Sequence, residues 1–128
     1  MRYLIDTHIL IWHGENNPAL KPPILDILNN LENEILVSHA SLWEIAIKVS
    51  LGKLKLGFHI SRLEDVLIEN GFTLLAFDFL HYQTLSDLPF HHSDPFDRMI
   101  IAQAMADNLQ IVTHDDKFKL YSVPVIWA

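Results

Sequence analysis

Five short apolar runs, separated by longer stretches of helical spacing, constrain this chain more than any other feature. The runs are Arg2–Asp6 (RYLID), Glu34–Ser38 (EILVS), Phe72–Phe77 (FTLLAF), Gln110–Thr113 (QIVT) and Val123–Trp127 (VPVIW). Short runs rich in Ile, Leu and Val suit buried strands, and parallel strands need a long crossover, usually a helix. The segments between the runs supply such helices. Pro22-Pro23 suits a helix start, and Ile24, Leu25, Ile27, Leu28 and Leu31 mark a stripe ending near Glu32. Ala40–Leu51 carries Leu42, Ile45, Ala46 and Val49 on one face, with Gly52 as terminator. Lys53–Ile60 reads as a loop or short hairpin, and Ser61 with Glu64 as a capping box opening a helix that stops at Gly71. Asp78 caps a short helix to about Leu85, and Leu88–Ser93 is a loop. Asp94 caps a helix with Pro95 in its first turn, running to about Asp107, with Asn108 as its terminator.

Strands alternating with helices over 128 residues predict one domain, residues 1–128: a three-layer α/β/α sandwich with a mostly parallel five-stranded sheet. Half the residues are apolar and a fifth are charged, which excludes a disordered chain. The absence of cysteine excludes disulfides and thiolate zinc sites and suits a reducing, cytoplasmic compartment. No apolar run approaches the ~18 residues of a membrane span, and Asp6 interrupts the N-terminus before a signal-peptide core forms. Nine basic against 16 acidic residues leave a net charge of −7, which argues against a surface that grips phosphate by basic residues alone. An acidic protein acts on a phosphodiester if its carboxylates hold divalent cations, so the placement of the acids matters more than their sum.

Open α/β sheets bind ligands at the carboxyl ends of their strands. Asp6 closes the first run, Asp115 follows the fourth, Glu44 lies on the first turns of the helix after the second, and Asp94 and Asp97 open another helix. Converging carboxylates repel, and a divalent cation offsets that repulsion; an all-oxygen set selects Mg²⁺ or Mn²⁺ over zinc. Such an ion polarises a phosphoryl oxygen and activates water, so the chemistry implied is phosphate-ester hydrolysis. Each acid also has a plain structural reading. Asp6 suits a turn, and Glu44 suits an i, i+4 helix pair with Lys48. Asp94 suits an N-cap, Asp97 a first-turn acid and Asp115 the cap of Asp116–Tyr121.

Taken together, YLIDTHILIW, SHASLWEIAIK, DPFDRMIIAQA and the TxDxxF pattern of Thr113, Asp115 and Phe118 resemble the PIN-domain ribonucleases, most closely the VapC-type toxins of bacterial toxin–antitoxin pairs. The resemblance covers nearly the whole chain. It places the family's four acids on Asp6, Glu44, Asp97 and Asp115, with Asp94 as a fifth candidate and Asp116 outside the set. It implies an Mg²⁺- or Mn²⁺-dependent endoribonuclease, usually a homodimer held by a cognate antitoxin that places a basic side chain in the acidic pocket. Asp6, Glu44 and Asp97 would then form the metal cage, and Asp115 would ligate a second ion or orient the attacking water. Thr7 and Thr113 carry hydroxyls beside the acids, and Arg98 is placed to contact RNA phosphate or to pair with a neighbouring acid.

Eight histidines show no metal-ligand spacing: His91 and His92 are adjacent, and His8 and His13 are five apart, so scattered hydrogen-bonding roles fit better. His114 neighbours the acids. Trp43 and Ile47 lie off the main apolar face of their helix, which makes that helix either buried on two sides or a partner surface, and Ile9–Trp12 raise the same question. Two other functions compete. One is a non-catalytic RNA- or protein-binding module of the same fold. The other is a phosphatase using Asp6 as nucleophile, which usually wants a second aspartate two positions on, where this chain has His8.

Overall fold

In a computed structural model describing residues 1–128, five strands form one sheet in the order β3-β2-β1-β4-β5, with every neighbouring pair parallel. The strands are β1 (Arg2–Ile5), β2 (Glu34–Ser38), β3 (Thr73–Leu75), β4 (Gln110–Thr113) and β5 (Val125–Trp127). The helices are α1 (Thr7–Gly14), α2 (Pro22–Asn29), α3 (His39–Ser50), α4 (Leu63–Glu69), α5 (Phe79–Asp87) and α6 (Pro95–Asp107), with 3₁₀ turns at Ile60–Arg62 and Asp116–Leu120. No helix is long and apolar enough to cross a membrane.

The pleat sends alternate residues to opposite faces and so divides the core in two. Tyr3, Ile5, Ile35, Val37 and Val112 face one layer with Ile9 and Leu10 of α1, Ile24 and Leu28 of α2, Ile45 of α3 and Leu63 and Leu67 of α4. Leu4, Leu36 and Ile111 face the other, with Met99, Ile100, Ile101 and Ala104 of α6. Helix α3 bridges the layers, since its Ala40 packs in the second cluster and its Ile45 in the first.

Helix α1 is not among the sequence expectations. The run Ile9-Leu10-Ile11 hides the helical period because all three are buried; Asp6 ends β1 and caps α1, its Oδ1 accepting the Ile9 N–H at 3.0 Å. The capping box expected at Ser61 does not form. His59 caps the 3₁₀ turn instead, and α4 starts two residues later with no side-chain cap. Helix α2 stops at Asn29, short of Glu32, and β3 and β5 are three residues each, as suits edge strands. Asp94 and Asn108 end α6 as expected, with Asn108 left-handed at φ 55°.

The strand order fixes where a ligand goes. The chain runs outward from β1 through β2 to β3, then returns to lay β4 on the other side of β1. The order therefore reverses between β1 and β4, and the crevice past the carboxyl ends of those two strands is the topological switch point.

Candidate metal centre

Asp6 follows β1 and Asp115 follows β4 by two residues, so both stand at that crevice. Asp6, Thr7, His8, Glu44, Lys48, Asp94, Asp97 and Asp115 line one polar cleft of about 70 Å³. The four acids expected from the sequence thus share a cleft with the fifth candidate, Asp94. Asp116 is not in its lining and pairs with Lys119 at 3.2 Å.

Hydroxyls and helix ends hold the acids in place. Asp6 is 3 % exposed, and its Oδ2 accepts the Thr113 hydroxyl. The same Thr113 oxygen accepts the Asp115 N–H at 3.0 Å, so one threonine ties the β1 and β4 acids together. Thr7 donates to Glu44 Oε1 at 2.6 Å, and Lys48 Nζ stands 2.6 Å from Glu44 Oε2. The i, i+4 pair therefore forms, but it is no ordinary surface pair, since Glu44 is buried at the cleft wall. Asp94 Oδ1 accepts the N–H groups of Phe96 and Asp97 at 2.9 and 3.0 Å, which fixes the first turn of α6 and with it Asp97. Asp115 caps the following 3₁₀ turn through the Lys117 N–H. The capping roles of Asp94 and Asp115 thus hold together with membership of the cleft, and Asp6 is a helix cap rather than a turn residue.

Charge is concentrated here. Five carboxylates face one lysine, and burial together with the neighbouring Asp94, Asp115, Glu44 and Asp6 pushes the Asp97 carboxyl up to about 8. Burial also raises Asp6, against the donors Thr113 and Ile9 that favour its charged form. The hydrogen bond to Glu44 holds Lys48 above its ordinary value. A fold that accumulates oxygen ligands to the point of keeping one protonated suits a divalent hard cation, so these residues fit Mg²⁺ or Mn²⁺.

Arg98 corrects the sequence reading. It is 6 % exposed, lines no part of the cleft and pairs with none of the acids. Its guanidinium donates to the carbonyls of Pro89 and Leu88 and to the Tyr121 hydroxyl, and it lies 3.9 Å over the Phe90 ring. The adjacent His91 and His92 both pack on the ring of Tyr121. His92 reaches the site: its Nε2 is 3.5 Å from Asp97 Oδ2, and burial lowers its pKa. No local pattern marks His92, which lies in a loop, whereas Lys48 is visible as the residue one turn after Glu44. Beside the acids, His8, Trp12 and His114 line an adjoining pocket of about 260 Å³ with Asp6 and Asp115.

A second cluster has ligand-like spacing but not ligand chemistry. Atoms of Asp78, His81 and Asp107 lie within 4.8 Å of one another. His81 Nδ1 accepts the Asp78 N–H at 3.1 Å, which places the ring proton on Nε2, 2.9 Å from Asp107 Oδ2. Both nitrogens are committed, so this cluster is a helix cap tied to the end of α6.

The PIN domain family model matches residues 3–123. Solved structures with similar folds include VapBC2 from Rickettsia felis bound to a DNA fragment from its promoter. It is 19 % identical with a TM-score of 0.74, and the match covers 100 % of this chain and 99 % of that one. DNA-bound VapBC from Salmonella typhimurium is 19 % identical with a TM-score of 0.72, over 98 % and 97 % of the two chains. FitAcB from Neisseria gonorrhoeae is 22 % identical with a TM-score of 0.67, over 96 % and 95 %. No curated protein matches the chain.

Proposed function

The chain belongs to the PIN domain family, and from that premise we propose that it is a divalent-metal-dependent endoribonuclease, the toxin of a type II toxin–antitoxin pair. The observation that carries this reading is the cleft at the switch point, where Asp6, Glu44, Asp97 and Asp115 converge with one compensating lysine. Asp6, Glu44 and Asp97 would hold Mg²⁺ or Mn²⁺, and Asp115 would ligate a second ion or orient the attacking water. When bound, the ion supplies Lewis-acid stabilisation of the phosphoryl oxygens and lowers the pKa of water.

The chain's own residues set the geometry. Thr113 orients Asp6 and the Asp115 backbone, Thr7 and Lys48 orient Glu44, and the Asp94 cap aims the first turn of α6. Lys48 is the one lysine of the cleft, and its ammonium is held against Glu44. The phosphatase alternative gains no support here, because the position two residues after Asp6, where that chemistry usually has a second aspartate, puts His8 in the cleft lining.

An antitoxin partner suits a neighbouring apolar groove of about 340 Å³, lined by Trp43, Phe77, Tyr82, Leu85, Phe96 and Met99 among others. Trp43 and Phe96 adjoin Glu44 and Asp97 in sequence, and Trp43 is 59 % exposed, so the face of α3 that carries it is open to a partner. A partner segment with an apolar face and a basic end would fill groove and cleft together. Pairing of the chain with a second copy belongs to the same proposal.

The test is RNA cleavage by the purified chain with Mg²⁺, Mn²⁺ or EDTA, beside Asp6→Asn and Glu44→Gln. We expect ion-dependent cleavage that both variants lose while their far-UV spectra stay native. Undiminished cleavage in EDTA, or in both variants, overturns the reading; ion binding without cleavage favours the non-catalytic module.

A further inference from the structure

His92 lies in the loop before α6, with a side chain 8 % exposed and an Nε2 that is buried without a hydrogen-bond partner. Its surroundings decide which ring nitrogen carries the proton. Arg98 Nη1 and the His92 backbone N–H point at the Tyr121 hydroxyl oxygen from 3.2 and 3.3 Å, and neither group can accept. The oxygen therefore accepts twice, and its single proton goes to His92 Nδ1 at 2.7 Å. Nδ1 is the lone-pair nitrogen, so the neutral ring carries its proton on Nε2. The group facing that N–H is Asp97 Oδ2 at 3.5 Å, a distance that a small shift of the carboxylate closes.

We propose that His92 is a positioning residue for Asp97. Through Nε2–H it holds Asp97 Oδ2, at the end of a directed line from Arg98 through Tyr121 and His92. The line starts from a rigid anchor, since Arg98 is fixed by the Pro89 carbonyl at 2.9 Å and the Phe90 ring. It links the loop before α6 and the 3₁₀ turn after β4 to the orientation of one metal-ligand candidate. Residues that orient ligands in this way typically carry ten- to a hundredfold in metal affinity. The inference rests on the nuclease reading, which makes Asp97 a ligand.

Asparagine and glutamine separate this role from simple anchoring. Asparagine at position 92 reproduces Nδ1 and keeps the Tyr121 bond while losing the donor to Asp97. Glutamine reproduces the Nε2 donor. Binding of Mn²⁺ to the full chain is followed by the electron paramagnetic resonance of the free ion, with far-UV circular dichroism as a control. We expect His92→Asn to weaken Mn²⁺ binding about ten- to a hundredfold, and His92→Gln to restore it to within a few-fold of wild type. Nitrogen-15 spectra of the wild-type ring are expected to show the neutral Nε2–H tautomer. Should His92→Asn fail to fold, Tyr121→Phe removes the proton donated to Nδ1 and is expected to mix the tautomers and weaken Mn²⁺ binding. Equal affinity in wild type and His92→Asn, a glutamine variant as weak as asparagine, or an Nδ1–H tautomer overturns the inference alone. A wild-type chain that binds no Mn²⁺ overturns the nuclease reading and this inference with it.

Discussion

Replacing Asp97 by asparagine should stabilise the ion-free protein, increasingly so as pH rises, while removing its response to metal. In the unfolded chain the carboxyl ionises near its ordinary 3.8; in the fold it ionises at about 8. Between those values the native state holds a proton that the unfolded state has released, so raising the pH favours unfolding. The group's contribution is fully present below about pH 4 and is lost as pH climbs through 8. Its side chain is only 17 % exposed, so solvent screens the repulsion weakly. Each pH unit in the window costs about 1.4 kcal/mol, or about 4 kcal/mol between pH 5 and 8. At roughly 4 °C per kcal/mol for a chain of this size, the wild-type melting temperature should fall by about 15 °C from this group alone. Asparagine cannot ionise, so its margin over wild type should be smallest at pH 5 and widen steadily toward pH 8. The assay is thermal unfolding in EDTA at pH 5, 6, 7 and 8, repeated with excess Mg²⁺. The ion should restore the wild type at pH 8 by mass action and leave the variant unmoved. A melting difference that is constant across the series, or a variant less stable at every pH, would refute the argument that the cleft concentrates uncompensated charge.

Lys48→Met should destabilise the ion-free chain by about 1–3 kcal/mol, because buried Glu44 loses its half-exposed cation and keeps only the Thr7 hydroxyl; melts in EDTA against Mg²⁺ should show the ion recovering most of the loss. Thr113→Val removes the donor to Asp6 and the acceptor for the Asp115 N–H. It should cost about 1–3 kcal/mol by chemical denaturation and weaken Mn²⁺ binding. His81→Ala should cost about 2–4 kcal/mol by the same measurement without changing Mn²⁺ affinity, and added Zn²⁺ should not raise the wild-type melting temperature through this cluster.

The architecture is written in local patterns. The apolar runs of β1, β2 and β4, the Asp78 and Asp94 caps and the left-handed Asn108 follow from neighbours a few residues apart, where propensity and capping act. Helix α1 escaped that logic because it is buried on most sides and carries no polar stripe to betray its period. Ser61 and Glu64 form the spacing of a capping box, but the 3₁₀ turn at Ile60–Arg62 leaves it unused.

The chemistry of the candidate site divides along the same line. That Asp6, Glu44, Asp97 and Asp115 sit at strand ends and helix starts is visible from one residue to the next. Which of their neighbours serve them is not. Arg98 adjoins Asp97 in the chain yet reaches Pro89 and Tyr121 instead, while His92, five positions earlier, comes back to the same carboxylate. Helix and strand periods follow from bonds made along the backbone, so a string of residues determines them; a carboxylate's pKa and its hydrogen-bond donors depend on groups up to 107 positions away, as Thr113 is from Asp6. Only the packing of α1, α3 and α6 against the reversal between β1 and β4 decides those.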